Sequence, residues 1–256
     1  MGGALSAEDS SADFTEAEYR RLLRLALSSY RFIAFPQFRS AERRSVLWRH
    51  DIDLSVHRAL ALARIEAEEG IRATYFLSLH SAFYNALETD VASRVREIVA
   101  LGHDLGVHFD PTFYAGRATP PEEALAWERR LLESVFESAV SSFSLHNPEA
   151  AGWRDDRDEI AGLVNAYGRS LRALFAYCSD SNGYWRFRRL RDVLEAAEDE
   201  RLHVLTHPEW WVPEPMLPRA RVARCIDGRA ARQHERYDRA LDEMGRRNVG
   251  RDERPT

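Results

Sequence analysis

The chain has 256 residues, 45% hydrophobic and 30% charged, a balance that supports a packed core and excludes disorder as the main state. Its net charge of -5 leaves no electrostatic footprint for nucleic acid or an anionic membrane. All of its basic side chains are arginines, with no lysine in the chain, so Schiff-base and lysine-nucleophile mechanisms are excluded.

Cys178 and Cys225 are the two cysteines, and their separation fits no metal-finger or redox spacing, which predicts free thiols in a reducing compartment. The opening residues carry acids where a signal peptide needs a basic start and an apolar run. No apolar stretch approaches the ~20 residues of a membrane span. These features predict a cytoplasmic protein with no membrane span.

Residues 1–13 are small and polar and read as a disordered leader. A helix is predicted from Thr15, an N-cap with Glu18 three residues on, carrying the apolar stripe Leu22, Leu23, Ala26. A short β-like run at 30–35 ends at Pro36. Strands are then predicted at 45–53, 73–79, 104–110, 141–146, 177–179 and 203–207. Helices are predicted at 56–69, 89–101, 121–138, 187–200 and 230–246, with a proline-rich turn at 213–218 and a solvated loop at 152–157. Strands alternating with helices imply βαβ units and a mainly parallel sheet. One domain is expected over 14–246, followed by a polar tail at 247–256. Neither nucleotide-binding fingerprint occurs.

Polar residues recur at the C-terminal ends of these strands, which is where parallel α/β folds assemble active sites. Asp51 and Asp53 are two apart in an extended chain and share a face, with Arg49 on the same side. His108 and Asp110 repeat that spacing, and imidazole with carboxylate is a common pairing for zinc. His146 and His207 each close a strand-like run before a turn. His103, just after a helix-ending glycine, is expected to make a structural hydrogen bond. Four strand ends that each deliver Asp or His point to one shared site.

The order of these motifs resembles the polysaccharide deacetylase (NodB homology) family of carbohydrate esterases. The Asp pair is followed by Gly102-His103-Asp104-Leu105-Gly106-Val107-His108-Phe109-Asp110, then a Pro-containing strand end, then Leu205-Thr206-His207. The likeness spans 46–211 and is strongest to a divergent branch reading Arg-His-Asp-x-Asp. It implies an α/β fold, a distorted (β/α) barrel of about seven mainly parallel strands. It also implies a hydrolase that removes an N-acyl group from a sugar or sugar-derived precursor with a divalent metal, zinc by ligand type. On that resemblance Asp51 is the general base, His207 the general acid, and Asp53 and His108 are metal ligands. Thr112 stands where the family has its second metal histidine, so the third ligand falls to His146 or, second, to Asp110. Asp180 and Trp185 correspond to residues that orient the base and line the pocket. Trp153, Trp210 and Trp211 are further candidates for stacking on a sugar or for packing.

Two other readings compete. One is a metal-dependent enzyme acting on a cyclic amide, a ureido compound or a natural-product intermediate. The other is a non-catalytic barrel that binds sugar or protein. The helical C-terminus is a candidate surface for a homo-oligomer.

Overall fold

The computed structural model describes residues 13–147, 153 and 155–251. The expected leader, apart from Asp13, and the last residues of the expected tail lie outside this range, as does part of the loop at 152–157. Asp13 is buried and forms an ion pair with Arg189.

In chain order the elements are helix α1 (Glu16–Ser29), strands β1 (Arg31–Phe32) and β2 (Ser45–Ile52), α2 (Val56–Glu68), β3 (Thr74–Leu77), α3 (Thr89–Ala100) and β4 (Asp104–Phe109). They continue with α4 (Pro121–Phe136), β5 (Val140–Leu145), β6 (Glu159–Ile160), β7 (Leu163–Asn165), α5 (Arg169–Leu174), β8 (Ala176–Ser181) and β9 (Tyr184–Trp185). The last three are α6 (Leu190–Ala196), β10 (Arg201–Thr206) and α7 (Pro218–Glu243). The class is α/β. Seven strands pair in parallel in the order β7-β5-β4-β3-β2-β10-β8, with β1 also parallel to β2 off this path and short antiparallel strands β6 and β9 outside them.

Followed from β2 through β3, β4, β5 and β7, then β8 and β10, the sheet returns to β2 in chain order. Among the described residues β7 and β8 are not hydrogen-bonded to each other, so the barrel is open there. Leu171 of α5 and Phe175, from the connection between those two strands, join the inner cluster with Leu47, Phe76 and Val164.

Alternation along the strands separates two cores. Leu47, Arg49 and Asp51 of β2 point inward, while Val46, Trp48 and Ile52 pack outward against the helices. Gly106 of β4 has to be glycine because a Cβ there would overlap the inward Phe76 ring. Beside it the β4–β5 register shifts between Leu105 and Val107, after which His108 lies directly opposite Ser144.

Thr15 caps α1, its hydroxyl accepting from the Glu18 amide at 3.2 Å, and α1 buries Tyr19, Leu22, Leu23 and Ala26. Burial of Leu22 and of Leu23 contributes about 1.5–3 kcal/mol each. Beneath α1 lies a buried polar knot around Glu66. Its carboxylate accepts from Tyr19 and Tyr75 and contacts His50 at 2.6 Å, and burial, which favours its neutral form, is outweighed by His50 so that its pKa is lowered. His103 closes the knot. Its Nδ1 accepts the Ala73 amide and its Nε2 donates to the Ala63 carbonyl, the structural bond expected for it.

Several elements differ from the sequence expectation, α5 and β9 among them, since neither is predicted. β6 and β7 lie where no strand is predicted; the pair is five residues of strand joined through Ala161 and Gly162, both at positive φ, too short for a period to register. α7 begins at Pro218, twelve residues before the predicted start, because the proline occupies the first helical turn, where its missing N–H costs nothing. The helix predicted at 187–200 is confined to Leu190–Ala196. No helix among the described residues is long and apolar enough to cross a membrane.

Candidate metal centre and active site

The C-terminal ends of β2, β4, β5, β8 and β10 surround a cavity of about 400 Å3, lined by Asp51, Asp53, His108, His146, Tyr167, Asp180 and His207 among others. Five strand ends thus deliver the charged groups that the sequence singles out.

Asp53, just past β2, lies against two imidazoles. Its Oδ1 is 3.0 Å from His108 Nε2 and 3.4 Å from His146 Nδ1, and those two nitrogens are 3.1 Å apart. Atoms about 2.1 Å from one ion, at angles between octahedral and tetrahedral, stand roughly 3.0–3.4 Å from each other. The three are the one such cluster among the described residues that could hold a metal ion. Asp53 Oδ1 is buried yet accepts no well-aligned hydrogen bond from either ring. A buried carboxylate oxygen left this way asks for a cation, so the donor set fits a divalent ion. Burial favours the protonated form of Asp53, but His108, His146 and His207 outweigh it and hold the carboxylate well below its usual range. The contact with the Asp53 carboxylate, 3.4 Å away, correspondingly raises the His146 pKa against the opposing effect of burial.

Behind the triad runs a second layer. Ser144 Oγ is 2.7 Å from His108 Nδ1 and donates to Asp51 Oδ1 at 3.1 Å. If His108 coordinates through Nε2, its Nδ1 carries the proton and donates to Ser144, whose own hydroxyl donates a hydrogen bond to Asp51. The other Asp51 oxygen is 3.7 Å from Arg49 Nη2. Arg49 is fully buried, donates to Tyr167 Oη at 2.9 Å and stacks over the Tyr167 and Phe76 rings. Asp51 therefore sits between a cation and a hydroxyl at the cavity floor.

On the opposite wall Asp180 accepts from both the backbone N–H of His207, at 3.0 Å, and its ring Nδ1, which fixes the imidazole with Nε2 toward the cavity, 3.8 Å from Asp53 Oδ2. Burial acts against the imidazolium, yet Asp180, with Asp53 and Glu209 behind it, raises the His207 pKa well above 6.5. Asp180 is carried there by a tight hairpin: Asn182 and Gly183 both have positive φ, so β9 folds back on β8 and pairs Trp185 with Asp180.

Two sequence candidates are placed elsewhere. Asp110 caps the turn after β4, accepting from the Thr112 amide and hydroxyl, and is not in the His/Asp cluster. Trp185 stacks on Phe14 with centroids 5.1 Å apart and meets Trp211 edge-on, outside the cavity wall. Trp210 and Trp211 are buried, and Trp153 packs on Phe109 and Phe143. None of the four offers a face to the cavity.

The sequence reading missed Ser144, Tyr167 and Glu209. Ser144 lies two residues before His146 on the same strand face, a spacing that could have marked it. Glu209 is fully buried, and burial, with Asp53 nearby, raises its pKa well above 4.5; its place between Pro208 and two tryptophans gives no such signal.

No protein-family model matches the chain, and no curated protein matches it. Among solved structures, a family 4 carbohydrate esterase from Bacillus anthracis is similar at 14% identity and a TM-score of 0.39, over 83% of this chain and 86% of that one. The Streptococcus pyogenes deacetylase PplD, solved with acetate, is similar at 13% identity and a TM-score of 0.38, over 81% and 84%. At such identities and scores the likeness bears on neither activity nor residue roles, and function rests on the site itself.

Proposed function

We propose that the chain is a metal-dependent hydrolase that removes an N-acyl group, N-acetyl in the first instance, from a sugar or sugar-derived precursor. The observation that carries this reading is the convergence of Asp53, His108 and His146 on one point, flanked by a carboxylate on one side and an Asp-oriented imidazole on the other. A divalent ion, zinc by the mixed N/O donor set, supplies Lewis acidity and an acidified water when bound there.

Asp51 serves as the base that takes the proton of the attacking water, its orientation fixed by Ser144 and Arg49. His207 serves as the acid. An amide nitrogen leaves only when protonated, and Nε2 of a His207 held cationic by Asp180 is the donor on the facing wall. Asp51→Asn keeps the shape and the hydrogen bond from Ser144 but removes the base. The variant is expected to retain zinc while acetate release from N-acetylglucosamine-containing precursors drops at least ~100-fold. Undiminished release would refute the assignment of Asp51.

A further inference from the structure

A second cavity, of about 740 Å3, opens between α4 and the turn that follows β4, lined by His80, Tyr114, Arg117, Glu123, Trp127 and Arg130 among others. We propose that this cavity binds a nucleoside phosphate, the base stacked on Trp127 and the phosphates held by Arg117 and Arg130.

Three features of the cavity select that ligand. The first is the wall of α4. Glu123, Trp127 and Arg130 are four and three residues apart and share one helical face. The Trp127 indole is 48% exposed and makes no aromatic contact among the described rings, so one large flat surface faces the cavity. Such a ring is a platform on which a base of any identity can stack, since every base has a π-face.

The second is charge. The Arg117 guanidinium lies over the Phe113 ring at 4.4 Å and near Tyr114 at 5.9 Å, and Phe113 is itself stacked on His80 at 3.6 Å. That guanidinium is pre-positioned by rings, and neither it nor Arg130 forms an ion pair among the described residues. Two such cations suit a multiply charged phosphate group better than a single carboxylate. Glu123 leaves an acceptor for ribose hydroxyls or an exocyclic amine.

The third is a fixed floor. His80 Nε2 lies 3.1 Å from Oε1 of Glu128, and Tyr114 donates to the same oxygen at 2.9 Å. Glu128 is fully buried, with Oε2 unpartnered. A volume of this size exceeds what a bare anion needs and lies in the range of small-molecule sites.

The proposal does not depend on the hydrolase reading, and one titration separates the two. Calorimetric titration of the intact protein in EDTA, with UDP and ADP as probes, is expected to show saturable binding of at least one. Uridine and inorganic pyrophosphate alone should each bind at least tenfold more weakly than that nucleotide. Trp127→Ala, and Arg117→Ala with Arg130→Ala, replace exposed side chains and should each weaken binding at least about tenfold, the first through the loss of base stacking and the second through the loss of charged hydrogen bonds. Asp53→Asn should leave nucleotide binding unchanged whatever it does to metal. The proposal is overturned by no saturable binding of either nucleotide, by binding that both cavity variants leave intact, by pyrophosphate binding as tightly as the nucleotide, or by loss of binding in Asp53→Asn.

Discussion

Replacing Ser144 by alanine deletes one oxygen from the wall between β4 and β5, and its effect on metal affinity can be worked out from the neighbours. Ser144 is fully buried, 2.7 Å from His108 Nδ1 and 3.1 Å from Asp51 Oδ1. Without metal the His108 proton can sit on Nε2, facing Asp53 at 3.0 Å, and Nδ1 needs no acceptor. With metal on Nε2 the proton must move to Nδ1, where alanine leaves it buried with Asp51 Oδ2, 3.7 Å away and beyond hydrogen-bond reach, as its nearest acceptor. The penalty therefore falls on the metal-bound form, and lost second-layer partners typically cost 10–100-fold in affinity, about 1.4–2.7 kcal/mol. Competition for zinc with a chromophoric chelator measures this directly. A dissociation constant 10–100-fold weaker in Ser144→Ala, with the metal-free melting temperature little changed, is expected. Equal zinc affinities in the two proteins would refute the coordination of His108 through Nε2.

Two further expectations concern charge. Asp180→Asn removes the carboxylate that raises the His207 pKa, so the alkaline limb of the kcat–pH profile should move to lower pH while zinc content holds; an unmoved limb would remove His207 as the acid. His203, buried in the barrel interior near Phe35 and Tyr177, has its pKa pushed well below 6.5 by burial and by Arg49. The folded chain keeps it neutral, whereas the unfolded chain protonates it below about pH 6.5, so this group makes stability fall as pH drops through that value, by up to ~1.4 kcal/mol per unit. Chemical denaturation of His203→Leu between pH 7 and 5 should show a shallower decline than the parent; parallel declines would refute the buried neutral imidazole.

What could be read from the chain follows from how each feature is encoded. Strands β2, β4, β5 and β10 are apolar runs capped by a charged or imidazole side chain, so both their existence and the site they carry are local signals. Asp51, Asp53, His108, His146 and His207 could be named for that reason, Asp180 only through the family resemblance, and the structure gathers the six around one cavity. Trp185 could not be judged locally: an aromatic two residues past a hairpin turn faces either side, and Phe14, far away in sequence, decides that it packs. Asp110 shares a strand face with His108 in an extended chain, but β4 ends at Phe109 and Asp110 is turned into a cap by Pro111. Glu66 reads as one more charged helical residue, yet Tyr19, His50 and Tyr75, from α1, β2 and β3, make it the centre of a buried network. Partners contributed by distant segments leave no trace in a local pattern.

The account turns on a divalent ion gripped by Asp53, His108 and His146. Zinc stoichiometry of the purified protein after loading and desalting, measured by plasma mass spectrometry beside His146→Ala and Asp110→Ala, tests this most directly. About one ion per chain is expected in the parent and in Asp110→Ala, with most of it lost in His146→Ala. A parent that retains no metal, or a His146→Ala variant that retains all of it, would contradict the account.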